Sequence, residues 1–304
     1  MIESIPMPST AISVLVPAFR SEKYLRACLD SLVGQDFPYP YEILVFAFGS
    51  DDRSGEIIEE YERKMPDRIF YKKCDRNYGV SATRNALLLS ARGEYVTFVD
   101  SDDTVRKDYL SFLYRMAKKN KGDIVTCGFY QNPAFKHIIL DRYHKKNTTG
   151  EETLRKYFAR TGNKIRAYCW GRLYKASFLR EQKVFFPSDL NLYEDWVFFF
   201  RSFLAAGKVS FYRKPLYYYR SVPTSLTHQE KDFASSCEHA TEEGLLSIQE
   251  KNPELLSRIK IRLPLLLHLL WASYLSRGSR KKKTGKIYRE EKKKLSQYLK
   301  EIKG

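Results

Sequence analysis

The strongest chemical signal in the chain is a run of four residues, Asp100-Ser101-Asp102-Asp103, directly after the apolar stretch Tyr95 to Val99. Asp100 and Asp102 are one residue apart. Where a strand ends, its side-chain alternation slackens and both carboxylates can turn toward one site. Two close carboxylates repel unless a cation lies between them. Oxygen ligands of this kind suit Mg2+ or Mn2+, and Mg2+ commonly shares its shell with substrate phosphates. The same run could instead cap a helix after Thr104, through Asp102 or Asp103. A second acidic pair, Glu194-Asp195, opens a helical pattern, where it would at least complement the helix dipole. The five histidines have no ligand spacing, and the five cysteines are scattered without a C-x-x-C pair. That argues against a zinc site or a disulfide framework and for a reducing compartment.

Acids at a strand end need strands to carry them, and residues 11–130 alternate between two periods. Ile12 to Phe19, Glu42 to Phe48, Arg68 to Tyr71, Glu94 to Val99 and Asp123 to Tyr130 read as strands. Between them lie helical patterns: one after Ser21 with Leu25, Cys28, Leu29 and Leu32 on one face, one carrying Ile57, Ile58 and Tyr61, one over 79–91 and one over 106–120. Ser21 is the expected N-cap of the first, and Gly93 the glycine closing the third. Such alternation predicts an α/β fold with a mostly parallel sheet, whose ligands bind beyond the carboxyl ends of the strands. The expected division is 1–130, 131–230 and 231–304, the last a helical, basic region. The second part contains a helix near 151–160, the segment Tyr168 to Tyr174, a helix from about Tyr193 and a strand over Val209 to Arg220. Residues 232–300 read as three helices.

Five pieces in order resemble the family 2 glycosyltransferases, inverting enzymes of the GT-A fold. They are Val14 to Phe19, Tyr24 to Leu32, Glu42 to Val45 with Gly49-Ser50, Asn77 to Asn85, and Gly93 to Asp103. More loosely, Trp170 to Lys175, Leu192 to Trp196, Tyr217 to Ser221 and Ser225 to Thr227 resemble the acceptor half of bacterial polysaccharide-type members. The resemblance implies a GT-A, Rossmann-like domain with a helical carboxyl-terminal extension. It implies a metal-dependent hexosyltransferase-type enzyme that moves a sugar from a nucleotide-diphosphate sugar to a glycan or lipid-linked acceptor. Asp100 and Asp102 would sit at the ribose and at Mg2+ or Mn2+, with Asp102 the direct ligand and Ser101 between them. Asp195 would be the general base and Glu194 its neighbour and fallback. Pro17, Phe19 and Glu22 would flank the nucleotide, Arg84 would support the diphosphate, and Trp170 would meet the acceptor.

One departure bears on the donor. Where the family usually carries two consecutive Asp before Gly-Ser, this chain has Ala47-Phe48, and Arg20 stands where Asn is common. A UDP-sugar is the first expectation, but its base must then be read from elsewhere, or the base differs. A catalytically weakened sugar-nucleotide-binding or regulatory protein is the alternative.

The formal net charge is +17, concentrated at the end, where residues 277–304 hold twelve Lys or Arg against three Glu. Beside them the nearly apolar run from Leu263 to Leu275 is too short to cross a bilayer, which takes roughly 20 residues. Together, 263–304 suggest a peripheral contact with an anionic membrane surface at the inner face. No nucleic-acid-binding motif accompanies the charge. The first ten residues lack an apolar signal-peptide core, so the expected location is cytoplasmic.

Overall fold

A computed structural model describes residues 10–131, 137–139, 145–158, 165–190, 192–222 and 233–255. Among the described residues nine strands form one sheet: β1 (Ile12–Ala18), β2 (Tyr41–Phe48), β3 (Ile69–Cys74), β4 (Tyr95–Phe98), β5 (Thr104–Val105), β6 (Ile124–Gln131), β7 (His137–Ile139), β8 (Arg172–Lys175) and β9 (Val209–Tyr219). Their order is β3-β2-β1-β4-β8-β6-β9-β5, with β7 beside β6. The first four are mutually parallel, in register from Ile12 opposite Tyr41 to Ala18 opposite Ala47. All eight residues of β2 are buried, as a strand flanked on both edges and covered on both faces requires.

The amino-terminal strands β1 to β4 form the parallel sheet expected of that part, and beyond them the sheet becomes mixed. β8 runs antiparallel to both β4 and β6, and β5 antiparallel to β9. The parallel rule holds where strand and helix alternate strictly. It lapses once the chain returns from the far side through β8, a four-residue strand whose pattern was too short to read. Residue 130 marks no break in the sheet, since β6 pairs with both β8 and β9.

Eight helices are described: α1 (Glu22–Val33), α2 (Ser54–Lys64), α3 (Gly79–Ser90), α4 (Tyr109–Asn120), α5 (Gly150–Tyr157), α6 (Ala176–Glu181), α7 (Glu194–Ala205) and α8 (Phe233–Lys251). α1 buries Leu25, Cys28, Leu29 and Leu32, the face the sequence predicts. Three local expectations change. Ser21 stands at the N-cap of α1 but makes no side-chain cap bond. Gly93 does not close α3, which ends at Ser90 with Ala91 extended; its N–H is donated to Ser13 Oγ. Neither Asp102 nor Asp103 caps a helix after Thr104, because Thr104-Val105 is a strand and α4 begins at Tyr109.

No helix among the described residues is long and apolar enough to cross a membrane. Leu263 to Leu275, the basic residues 277–304, Ser225 to Thr227, and the later two of the three helices expected over 232–300 lie outside the described residues.

Candidate active site

The acidic turn follows β4 directly and is fastened from three directions. Val99 N–H is donated to Leu15 O of β1 and Asp103 N–H to Asp100 O, which closes the turn. Ser101 Oγ lies 2.6 Å from Ser21 Oγ, so the hydroxyl that leaves α1 uncapped ties the turn to the β1–α1 loop. From the far side, Tyr217 of β9 donates its hydroxyl to Asp103 Oδ2 at 2.6 Å and accepts the N–H of Asp100 at 3.1 Å. Arg220 N–H is donated to Asp103 Oδ1 at 2.6 Å and its Nε to the Asp102 carbonyl at 2.9 Å. Asp103 is thus fully buried and structural, while Asp100 and Asp102 stay partly open.

Opposite the turn, α7 begins with Glu194-Asp195. The residue before them, Tyr193, has φ +63°, a left-handed conformation that bulky side chains avoid. It turns the chain so that both acids enter the first helical turn, where the helix dipole favours negative charge.

Arg84 of α3 joins the two sides. Its Nη2 donates to Asp100 Oδ1 at 2.9 Å, and its Nη1 donates to Glu194 Oε1 and, at 3.1 Å, to Asp195 Oδ1. One guanidinium, only 4% exposed and lying over the Phe186 ring, serves three carboxylates. Its Nε is buried with no partner among the described residues. Flanking residues of α3 hold the same segment: Ser81 Oγ donates to Leu190 O, and Asn85 both donates to Phe186 O and accepts Phe186 N–H.

Three acids on one cation leave an excess of negative charge in a dry place. Burial, then the Asp195 charge, pushes the Glu194 carboxyl up to about 8 against the pull of Arg84. Burial, then Asp100, pushes Asp102 up to about 6. Asp100 is raised too, by burial and then Asp195, with Arg84 opposing. Carboxyls displaced this way mark a site more often than a scaffold. The side chains of Asp100 and Asp195 keep 25% and 17% exposure, so the cluster opens to solvent. A cavity of about 360 Å³ lined by Arg92, Lys175 and Arg180 lies at the opposite end of the strands and shares no residue with it.

The donor set fits a hard divalent cation only with outside help. Among the described residues no group of three or more His, Cys, Asp or Glu is placed to hold a metal. Two carboxylates are available, and Arg84 already takes one oxygen of Asp100. An ion here needs phosphate oxygens and water in its shell, which is how Mg2+ commonly binds.

The remaining expected residues lie around this centre. Pro17 is opposite Phe46 near the end of β1, and Phe19, 38% exposed, stands on the following loop. Arg20 has φ +48° and is bidentate to Asp51 at 2.7 and 2.8 Å. Glu22 Oε2 accepts the N–H of Arg53 at the start of α2, so this carboxylate faces a helix end. Ala47 and Phe48 are buried; Phe48 stacks on Phe46 and meets the edge of the exposed Tyr78. Gly49 is required next, since its φ is +68° and a Cβ would lie 2.4 Å from the Asn77 nitrogen. Trp170 is 5% exposed because Tyr168 covers it at 4.4 Å and Tyr217 at 4.5 Å, all nearly parallel. The outer rings of that stack, Tyr168 and Tyr219, are half-buried. Sequence reasoning missed Tyr217, Arg220, Ser81 and Asn85 as supports. Ser81 and Asn85 lie in the Asn77 to Asn85 piece and Tyr217 and Arg220 in the Tyr217 to Ser221 piece that carry the resemblance, but the partners they bond are set by tertiary contacts.

With this geometry in view, the similarities to known proteins are informative. The family described as glycosyl transferase family 2 matches residues 13–183, more than half of the chain. Glycosyltransferase GlyA of Streptococcus pneumoniae serotype 4 is 37% identical over 71% of this chain, which spans 31% of that protein. The crystal structure of Staphylococcus aureus TarS in complex with UDP-GlcNAc superposes with a TM-score of 0.72, covering 84% of this chain and 72% of that one at 23% identity. The mannosyltransferase PcManGT of Pyrobaculum calidifontis, in complex with GDP-Man and Mn2+, covers 97% of this chain and 86% of its own at a TM-score of 0.57 and 15% identity. At such identities the two structures establish the fold.

Proposed function

The chain belongs to glycosyl transferase family 2, and from that premise we propose that it moves a sugar from a nucleoside diphosphate sugar to an acceptor hydroxyl with inversion. The observation that carries the reading is the single Arg84 guanidinium bonded to both the Asp100 turn and the Glu194-Asp195 helix start. It holds a phosphate-side acid and an acceptor-side acid across one cleft.

Asp195 is the base. It takes the proton of the acceptor hydroxyl as that oxygen bonds to the anomeric carbon and the bond to the diphosphate oxygen breaks. Glu194, displaced upward and bonded to Arg84, is protonated at neutral pH more readily than an ordinary glutamate. Asp102 and Asp100 would hold Mg2+ or Mn2+ with the donor phosphates; the ion supplies Lewis-acid stabilisation of the departing diphosphate. Pro17, Phe19 and Ser101 line the donor side. Arg84 acts on the diphosphate region through the carboxylates it holds. Trp170 supports Tyr168 and Tyr219, which offer ring surface to a glycan.

A UDP-sugar is the first donor to try, the nucleotide bound by TarS in its UDP-GlcNAc complex. Ala47-Phe48 supplies no carboxylate for a base, so guanosine, thymidine and cytidine diphosphate sugars belong in the same screen. The acceptor class is a polysaccharide or a lipid-linked oligosaccharide, met at an anionic membrane face through residues 263–304. Deleting 277–304 should move the protein from membrane to soluble fractions.

The test is turnover and thermal shift with Mn2+ across the donor panel. One donor should raise the melting temperature and be turned over. Asp195→Asn should lower kcat by about 10²–10⁴ while the thermal shift persists. An Asp195→Asn protein with unchanged kcat would refute the assignment. Donor binding without turnover in the wild type would favour a regulatory sugar-nucleotide-binding protein.

A further inference from the structure

The segment that aims Asp195 is held from two sides, and only one of them is the donor half. On the first side are the α3 contacts of Ser81 and Asn85 to Leu190 and Phe186. On the second is α8, which lies beyond the family match at residues 13–183. Arg201, on α7 and under two turns beyond Asp195, connects three pieces of chain. Its Nη1 donates to Phe185 O at 3.0 Å, its Nη2 to Glu243 Oε2 at 2.8 Å and its Nε to Ser247 Oγ at 3.2 Å. His239 of α8 lies 2.9 Å from Asp189, four residues before Tyr193. Leu190, Val197 and Ala240 form a small apolar cluster with Tyr193 packed on it. The two helices touch closely at Gly244, where a Cβ would stand 2.5 Å from Phe200.

Tyr193 needs such support. A tyrosine at φ +63° persists only where surrounding structure over-determines it. Tyr193 packs on a cluster that includes Ala240 of α8, Arg201 donates to the Phe185 carbonyl, and Asp189 pairs with His239 of α8.

We propose that α8 is a brace that holds the strained Tyr193 turn and so sets the aim of Asp195, with Arg201 as the positioning residue. The role assigned to Asp195 rests on the proposed function, whereas the brace itself does not. Undocking α8 should loosen residues 188–195 and misplace the base without touching the donor side.

Hydrogen exchange on the full chain decides it, comparing wild type with Arg201→Ala, Glu243→Gln and Gly244→Ala, and using UDP with Mn2+ as the donor-side probe. Arg201→Ala should speed exchange in 188–195 by about tenfold or more, with β1–β4 protection and UDP affinity within about twofold of wild type. Gly244→Ala is the sharper case, because alanine is the better helix former. A free helix would gain from it, and a docked one must yield to Phe200. On any donor that is turned over, kcat should fall by up to about a hundredfold with donor KM little changed. Unchanged exchange in 188–195 for both Arg201→Ala and Gly244→Ala would overturn the proposal. If either fails to fold, Glu243→Gln, which removes only the charge facing Arg201, carries the same expectation at smaller size and is read the same way. A wild type that turns over no donor would defeat the proposed function and leave the exchange result standing.

Discussion

Glu42 and Glu194 are both buried carboxylates, 2% and 7% exposed, at opposite ends of the strands of one sheet. Glu42 has every oxygen engaged. One accepts from Ser13 Oγ and Arg92 N–H, the other from the Arg92 side chain at 2.7–2.8 Å, and no second acid shares its partners. Glu194 shares a single guanidinium with Asp195 and Asp100. The first arrangement is one that folding alone would select. The second leaves charge uncompensated and sits beside a backbone conformation that tyrosine resists. Such a surplus is tolerated where something else, a cation or a substrate, completes the balance.

That contrast can be broken in several ways. The largest effect belongs to Arg84→Ala. It removes the cation from three part-buried acids and should cost about 3–5 kcal/mol in denaturant unfolding, with activity lost as well. A variant as stable as wild type would mean the acids do not depend on it. Glu42→Gln comes next. It should cost about 1–3 kcal/mol, since Ser13 and Arg92 lose a charged acceptor, yet donor turnover in the folded variant should stay near wild type. Loss of turnover there would erase the distinction between the two ends. The most diagnostic effect, spread over a wide span of pH, is the pH dependence of Glu194. Its carboxyl is raised from 4.5 to about 8 in the folded chain. Between those values the folded state holds a proton that the unfolded state has released, so this residue lowers stability as pH rises through the window. Glu194→Gln should flatten that slope and match or exceed the wild type above pH 8. A parallel pair of stability–pH curves would show that Glu194 is not displaced.

The sequence-derived picture succeeded where a local rule decides the outcome. β1 to β4, the acidic turn and the start of α7 follow from apolar runs, helical spacing and an acid pair at a helix start. It failed where tertiary contacts decide. β8 and β5 have four and two residues and exist through their partners Tyr95-Val96 and Tyr217-Tyr218. Ser21 looked like a cap because serine usually is one, but Ser101 competes for its hydroxyl. Asp100, Asp102 and Asp195 could be nominated from order and resemblance. That Arg84 gathers Asp100 with Glu194 and Asp195 depends on α3 lying between two segments about a hundred residues apart, which no spacing in the chain reveals.

Three residues on one helix, Ser81, Arg84 and Asn85, reach into the stretch from Phe186 to Asp195. A seam stitched at that many points does not gape like a clamshell. Under the proposed function, movement would then be left to the exposed loops that carry Phe19, Arg20 and Tyr78.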